Sequence, residues 1–245
     1  MTAMLALFFI DPYFWLTIPG MLLALWAQFR LRSMYGRYAR VAAGRGLTGA
    51  QAARYILDRN GLTDVDVHEV SGHLSDHYDP SKRAVFLSSE NYHNPSLAAV
   101  GVAAHEVGHA IQHGTQYAWL GLRMSLVGVT GFASYAAWFA IMGGMILSSV
   151  SPRSGWGRLL LMAGILLFSA TVFFQMITLP VEYDASRRAK AELLRLGLVT
   201  PDERGGVDKV LSAAALTYVA GMVTAMLELL RLILIFRGGS RSNDE

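Results

Sequence analysis

Two histidines and a glutamate within five residues, His105-Glu106-Val-Gly-His109, could together carry out metal-dependent hydrolysis. On an α-helix, residues four apart lie on the same face, so both imidazoles can bind one metal ion. Glu106 is rotated about 100° from His105 around the helix and can accept a proton from a metal-bound water. This H-E-x-x-H pattern is typical of zinc metalloproteases, although three fixed letters also occur by chance in unrelated helices.

The residues around the motif predict a buried helix that holds it. Ser96 is a suitable N-cap and Gly114 a suitable end for such a helix. The segment 97–104 consists of small and apolar residues, so His105 follows a stretch suited to a protein interior. This context favours a metal site over an accidental match.

A catalytic zinc site usually has three protein ligands and a water. His113 lies eight residues beyond His105, about 12 Å along a straight helix, too far to share the ion; we expect it beside the site or at the surface. Glu182 is the first charge after an apolar segment that returns the chain to the motif's side. We therefore predict His105, His109 and Glu182 as the metal ligands. Alternatively, Glu182 is an interfacial acid that begins a basic helix; Asp184 would face elsewhere on that helix.

The composition predicts an integral membrane protein. Of the 245 residues, 53% are hydrophobic and 16% are charged, against about 25% charged in soluble domains. Long charge-free runs account for the difference: 12–29, 124–152, 159–181 and 210–227, the last extended by 232–236. Each approaches or exceeds the about 20 residues that a transmembrane helix needs. We predict four spans, the middle two forming a hairpin around 151–158.

The distribution of basic residues predicts the orientation. Seven arginines lie between Arg30 and Arg59, and six basic residues lie between Arg187 and Lys209. By the positive-inside rule these flanks, and the H-E-x-x-H motif with them, face the cytoplasm. The net charge of +3 comes largely from these flanks, and anionic lipid headgroups account for it without nucleic acid. No basic residue precedes Arg30 and no cleavage site is evident, so a retained span is favoured over a signal peptide.

The predicted fold is mostly α: four transmembrane helices with a small α+β zincin-like cytoplasmic domain. The predicted divisions are the first span (1–29), the cytoplasmic catalytic region (30–118) and the transmembrane hairpin (119–181). A cytoplasmic helix with the third ligand (182–208), the fourth span (209–236) and a disordered tail (237–245) follow. Near the far end of the last span, Glu228 and Arg231 are three apart and could pair. With no cysteines, disulfides and thiolate ligands are excluded.

Short elements are predicted between the first two spans. Thr48 and Gln51 form a capping box that opens a helix ending at Gly61, with an apolar face. The segment 65–70 alternates as a strand does, and 84–88 is its predicted partner. The intervening segment 72–80 is predicted as a connection. An extended substrate could add to an edge strand at 84–88.

The connection contains residues that could contact a substrate or stabilise a transition state: His73, Asp76, His77 and Tyr78. A hydrogen-bond donor there could stabilise a tetrahedral intermediate, and His77 and Tyr78 are the best candidates. The alternative is an ordinary turn, because Ser-Gly and Asp-Pro dipeptides flank the segment and aspartates cap loops. We expect two further histidines, His68 and His93, at the surface.

Several segments together resemble the YugP-type membrane zinc metallopeptidases. They follow one another along nearly the whole chain: 46–50, 72–80, 101–112, 179–189 and 210–218. The resemblance implies a bacterial inner-membrane enzyme and a neutral zinc peptidase. More loosely, the chain is similar to heat-shock-type membrane peptidases and CAAX-prenyl endopeptidases, which combine H-E-x-x-H with a later Glu-x-x-x-Asp. Here Ser186 stands four residues after Glu182, so the acid that orients a zinc histidine in those families is missing, or Asp184 or another residue replaces it.

The sequence therefore predicts a membrane-embedded, gluzincin-like zinc metalloendopeptidase of the cell inner membrane, with no other cofactor. It would hydrolyse peptide bonds of membrane or membrane-proximal proteins by a zinc-activated water, with Glu106 as the base. The alternative is a zinc-binding but inactive membrane scaffold that recruits partner proteins, for which the absent Asp at position 186 is the argument. A third class, a transporter or assembly factor with an accidental motif, is disfavoured by Glu106 and Glu182.

Overall fold

The structure, a computed structural model, describes residues 12–241 and is mostly helical. Seven α-helices lie in this part of the chain, with short 3-10 turns at Phe14–Leu16 and Pro152–Ser154: α1 Thr17–Tyr38, α2 Gly49–Arg59, α3 Ser89–His93, α4 Leu97–Gly114, α5 Ala118–Val150, α6 Trp156–Arg195 and α7 Arg204–Arg241. Three strands precede α3: β1 Asp66–Val70, β2 His77–Asp79 and β3 Ala84–Ser88. The mostly helical architecture with a small sheet is as predicted.

The three strands form one sheet in the order β1-β3-β2. The parallel pairing of β1 with β3 confirms the predicted partnership, with Val67 opposite Val85. The segment 72–80 is not only a connection, because β2 lies within it and pairs antiparallel with β3, Tyr78 opposite Val85. The expectation of an edge strand at 84–88 is therefore wrong. Since β2 covers one side of β3 and β1 the other, the edges of the sheet are β1 and β2.

The small helix α2 packs against α4 over a buried apolar core. Thr48 accepts a hydrogen bond from the backbone N–H of Gln51, and the Gln51 side chain accepts one from Thr48, so the predicted capping box is present. Ile56 and Leu57 are fully buried against α4 and the sheet. Gly61 has φ +70°, as the helix end requires. These contacts support one side of the helix that carries the motif.

Within residues 12–241, four helices are long and apolar enough to cross a membrane, as predicted: Phe14–Tyr38, Ala118–Val150, Trp156–Arg195 and Arg204–Gly238. Large apolar side chains on them are exposed, Phe132 and Val150 by 75% and 78%, a pattern that suits contact with lipid. The hairpin of α5 and α6 packs closely at glycines, since a Cβ on Gly144 would lie 2.6 Å from the backbone N of Leu161.

The chain divides into two compact units. The span unit comprises the described parts of Met1–Trp26, Arg123–Ile177 and Tyr218–Glu245; the site unit comprises Ala27–Leu122 and Thr178–Thr217.

In the span unit, Arg231 donates to both carboxylate oxygens of Glu228 at 2.8 and 3.0 Å, so the predicted pair is formed. Helix α7 continues to Arg241, further than the predicted start of a disordered tail at 237; the final four residues lie outside the described part.

Candidate metal centre

Helix α4 holds the H-E-x-x-H motif in a buried setting. Ser96 caps its start by accepting a hydrogen bond from the backbone N–H of Ala99, and the helix ends at Gly114, as predicted. The apolar segment before the motif is buried, and so are Glu106 and His109, while His105 is partly exposed. The imidazole rings of His105 and His109 lie 4.9 Å apart, so both project from one face of α4.

Helix α6 crosses α4 at a glycine of the motif itself. A Cβ built on Gly108 would lie 2.4 Å from the backbone carbonyl oxygen of Ala185, closer than side chains come in proteins. Because Gly108 has no side chain, the two backbones approach closely, and Glu182, three residues before Ala185, reaches the histidines. Glu182 lies within the continuous α6, not at the start of a separate helix.

The two histidines and Glu182 converge on one point. Oε2 of Glu182 is 3.2 Å from Nε2 of His105 and 3.5 Å from Nε2 of His109. Ligands at about 2.0–2.1 Å from a tetrahedral zinc ion are separated by about 3.3 Å, so these distances fit a shared ion. Their ligand atoms all lie within 4.8 Å of one another, the one such group of three found in residues 12–241. The donor set, two imidazoles and a carboxylate, suits zinc.

The side chain of Gln112 fixes the orientation of His109. Its Nε2 donates to the carbonyl of Val181 at 2.8 Å and to the carboxylate of Asp184 at 3.0 Å. Its Oε1 therefore faces His109 as an acceptor, 3.0 Å from Nδ1. Nδ1 must carry the proton, which leaves the lone pair of Nε2 for a metal. Asp184 is itself held by Arg187 and by Arg188, the latter at 2.6 Å.

A serine takes the place next to the other histidine. Oγ of Ser186 lies 3.1 Å from Nδ1 of His105, so the imidazole can donate to the hydroxyl and keep Nε2 available. Ser186 is the residue four positions after Glu182, where the sequence has no Asp. The Ser186 hydroxyl supplies an acceptor for His105 without adding a negative charge there. The carboxylate of Asp184 instead accepts a hydrogen bond from Gln112, which in turn contacts His109.

Glu106 is buried beside the ligand group and does not belong to it. Burial raises the pKa of its carboxyl to about 7; the charges of Glu182 and Asp76 act in the same direction, and His105 opposes them. The backbone N–H of Tyr78 also lowers this pKa by hydrogen bonding to the carboxylate. A carboxyl that titrates near neutrality can both accept and return a proton.

Of the four residues predicted to contact a substrate, Asp76, His73 and His77 make contacts within the 72–80 segment and its neighbours, whereas Tyr78 reaches the motif. Asp76 accepts hydrogen bonds from the backbone N–H of Ser88 and from Asn91, both at 2.8 Å, and so ties β3 to α3. His73 pairs with Glu90 at 3.1 Å, and His77 is exposed and stacked on Phe86. These contacts are those of a structured turn. The two histidines expected at the surface, His68 and His93, are exposed.

Tyr78 is the residue of this segment that reaches the motif. Its hydroxyl lies 2.8 Å from Nδ1 of His113, which accounts for that histidine beside the site. The backbone of Tyr78 lies close enough to Glu106 to lower the pKa of its carboxyl, and β2 pairs with β3 on one side only, so its other edge is unpaired within the sheet. Burial raises the pKa of the Tyr78 phenol, which keeps it a hydrogen-bond donor at neutral pH.

Gln112 is a residue of the site that sequence reasoning missed. A glutamine inside an apolar helix carries no signal of metal chemistry, and only its position three residues after His109 marks the same helix face. Strand β2 was missed because three residues between turn dipeptides show too little alternation to be recognised.

The geometry describes a possible metal centre, and comparisons with known proteins relate the chain to zinc peptidases. Residues 13–237 match the family described as "Putative neutral zinc metallopeptidase", so the chain belongs to that family. It is similar to "Putative membrane protease YugP" of Bacillus subtilis (strain 168), with 48% identity over 231 residues, 94% of this chain and 99% of that relative. The resemblance seen in the motifs is confirmed. No solved structure matches the chain.

We expect Gly108→Ala to weaken metal binding, because the added methyl group would push α4 away from Ala185 and withdraw the histidines from Glu182. The zinc affinity, measured by chelator competition, should fall at least about tenfold. Gly101→Ala on the same helix is the matched control, since its Cβ meets only the Val207 side chain at 3.4 Å. Equal affinities for the two variants would show that the close approach does not support the site.

We expect Gln112→Leu to weaken zinc binding by about 10–100-fold, because His109 loses the acceptor that fixes its tautomer. The exposed Gln116, four residues further on, provides the control Gln116→Leu. Both variants are compared by chelator competition, with circular dichroism as the test of folding. An unchanged affinity in folded Gln112→Leu would contradict the assigned role.

Proposed function

We propose that the protein is a membrane zinc endopeptidase that cleaves membrane or membrane-proximal proteins. The observation that carries this proposal is the convergence of His105, His109 and Glu182 beside the buried carboxylate of Glu106. Membership of the zinc metallopeptidase family and similarity to a membrane protease support it. The centre is then of the gluzincin type, two motif histidines and a distant glutamate.

In this proposal, Nε2 of His105, Nε2 of His109 and Oε2 of Glu182 hold the ion. When bound, zinc polarises a peptide carbonyl and lowers the pKa of a coordinated water. Glu106 accepts the proton of the attacking water and passes it to the leaving amine. Its burial limits its contact with bulk water, so the proton stays with the reacting groups.

The substrate segment pairs with the free edge of β2. An extended peptide can add to an exposed edge strand through main-chain hydrogen bonds, and β2 is an edge strand whose Tyr78 backbone lies close to Glu106. This arrangement replaces the expectation of substrate addition at 84–88. Tyr78, anchored by His113, lies where its hydroxyl can contact the substrate or the tetrahedral intermediate.

The site unit is proposed to be a zincin-like cytoplasmic domain of an inner-membrane protein. The positive-inside rule supports this orientation, because the basic residues of 30–59 and 187–209 belong to the same unit as the metal ligands. A site at the membrane surface suits substrates whose cleaved segments lie close to a bilayer.

An inactive zinc-binding scaffold is the second candidate. The absent acid four residues after Glu182 supported it, but Ser186 and Gln112 supply the hydrogen bonds that such an acid would make. Cleavage assays on the variants below separate the two functions, and a metal assay tests the third class, in which the motif is accidental.

Metal content is the first test. We expect about one zinc per purified chain, lost in His105→Ala and His109→Ala and reduced in Glu182→Ala, because each removes one ligand. His113→Ala, which removes a neighbouring histidine outside the ligand group, should keep its zinc. Elemental analysis without chelators measures this. Full zinc in Glu182→Ala would mean that another residue is the third ligand.

Catalysis should separate from metal binding at Glu106. Glu106→Gln keeps the shape of the side chain but cannot accept the proton, so we expect zinc to be retained and cleavage of a model membrane substrate to slow by at least about 10²-fold. Glu69→Gln, at an exposed glutamate of β1, is the control. Absence of chelator-sensitive cleavage in the wild type would favour the scaffold. Equal cleavage by wild type and Glu106→Gln would remove Glu106 as the base.

The orientation can be tested with single cysteines, because the chain has none. Ser81 and Ser154 are exposed sites for Ser→Cys substitutions in the site unit and in the hairpin turn. In intact cells, a membrane-impermeant thiol reagent should label Ser154→Cys and not Ser81→Cys. The opposite labelling pattern would place the metal centre outside the cytoplasm.

A further inference from the structure

A cavity of about 870 Å³ lies in the site unit between the second half of α6 and the first half of α7. One end carries the cations Arg187, Lys190 and Arg204; the other is mostly apolar, with Pro180, Leu211 and Ala215 beside Asp184 and Ser212. The two helices run in opposite directions here, because only a short connection separates Arg195 from Arg204 and Lys190 lies 3.2 Å from Asp208. The cavity therefore changes from charged to apolar along the helices.

The apolar end lies where the chain enters its membrane-spanning stretches. Pro180 is near the end of the charge-free run 159–181, and Leu211 is near the start of the run 210–227. Both runs belong to helices that can cross a membrane. The cationic end, about two to three helical turns further along each helix, therefore lies near the lipid headgroups.

The charges around the cavity do not balance. Asp184 pairs with Arg187 and Arg188, and Asp208 pairs with Lys190 and Arg204 at 3.2 and 3.5 Å. Four cations around two carboxylates leave a formal charge of about +2. The side chains of Arg187 and Arg204 are 76% and 58% exposed, so they can turn toward an anion.

We propose that this cavity binds an anionic phospholipid, with the headgroup phosphate between Arg187, Lys190 and Arg204 and an acyl chain along the apolar end. The charge at one end matches a phosphate, and the apolar end at the start of the spans matches an acyl chain. A free phosphate ion would use only the cationic end. An acidic peptide would leave the apolar end without a matching partner.

The position of this cavity relates lipid binding to the metal centre. Asp184 and Ser186 line the cavity, and they also hold Gln112 and His105. The bound headgroup thus lies against the residues that orient the zinc ligands. The proposal concerns binding alone, so its test needs no cleavage and can fail or succeed whatever the outcome for the peptidase function.

The experiment is native mass spectrometry of the full-length protein in detergent, titrated with phosphatidylglycerol or phosphatidylcholine of the same acyl chains. We expect phosphatidylglycerol to bind at least about tenfold more tightly. The double variant Lys190→Gln/Arg204→Gln should lose this preference, since each interfacial cation contributes about fivefold. The control Arg37→Gln/Arg40→Gln removes the same charge from exposed arginines outside the cavity and should keep it.

A second variant keeps every charge. Ser212 is exposed and lines the cavity, so Ser212→Trp should occlude it and weaken phosphatidylglycerol binding even if the charge variants unfold. Equal affinity of the wild type and Ser212→Trp for phosphatidylglycerol would overturn the proposal. Displacement of the lipid by equimolar inorganic phosphate or by an acidic peptide would also overturn it, by assigning the site to a free anion or to a protein segment.

Discussion

The contact between Gly108 of α4 and the backbone of Ala185 in α6 is the constraint on which the metal centre depends. The motif supplies two ligands and a base on one helix, but the third ligand comes from a helix far along the chain. Only a residue without a side chain lets the two backbones approach closely enough for Glu182 to meet both imidazoles. Gly108 therefore has a structural role within a motif usually described by its three polar residues.

The same helix crossing organises the hydrogen bonds behind the ligands. One helical turn after His109, Gln112 reaches α6 and joins the Val181 carbonyl and Asp184. Ser186, one turn after Glu182, meets His105. Gln112 thus fixes the tautomer of His109, Ser186 gives Nδ1 of His105 a partner, and each support comes from the helix contact that also delivers the third ligand. Metal binding and packing of α4 on α6 are consequently linked, since losing either weakens the other.

Much of this centre could be predicted from the sequence. The spacing of the motif, the Ser96 cap and the charge-free runs act locally, and Glu182 follows from the direction of the spans. What could not be predicted depends on contacts between distant segments: the pairing of β2 with β3, which moved the sheet edge away from 84–88, and the role of Gln112. The absence of Asp at position 186 left the partners of the two histidines open, because sequence alone does not show that the Ser186 hydroxyl lies beside His105.

The most direct test of the central claim is a diffraction experiment on zinc-loaded protein, with an anomalous difference map calculated on either side of the zinc absorption edge. The account predicts one strong peak at about 2.0–2.2 Å from Nε2 of His105, Nε2 of His109 and a carboxylate oxygen of Glu182. A peak bound by other residues, or one with Glu182 turned away from the ion, would contradict it.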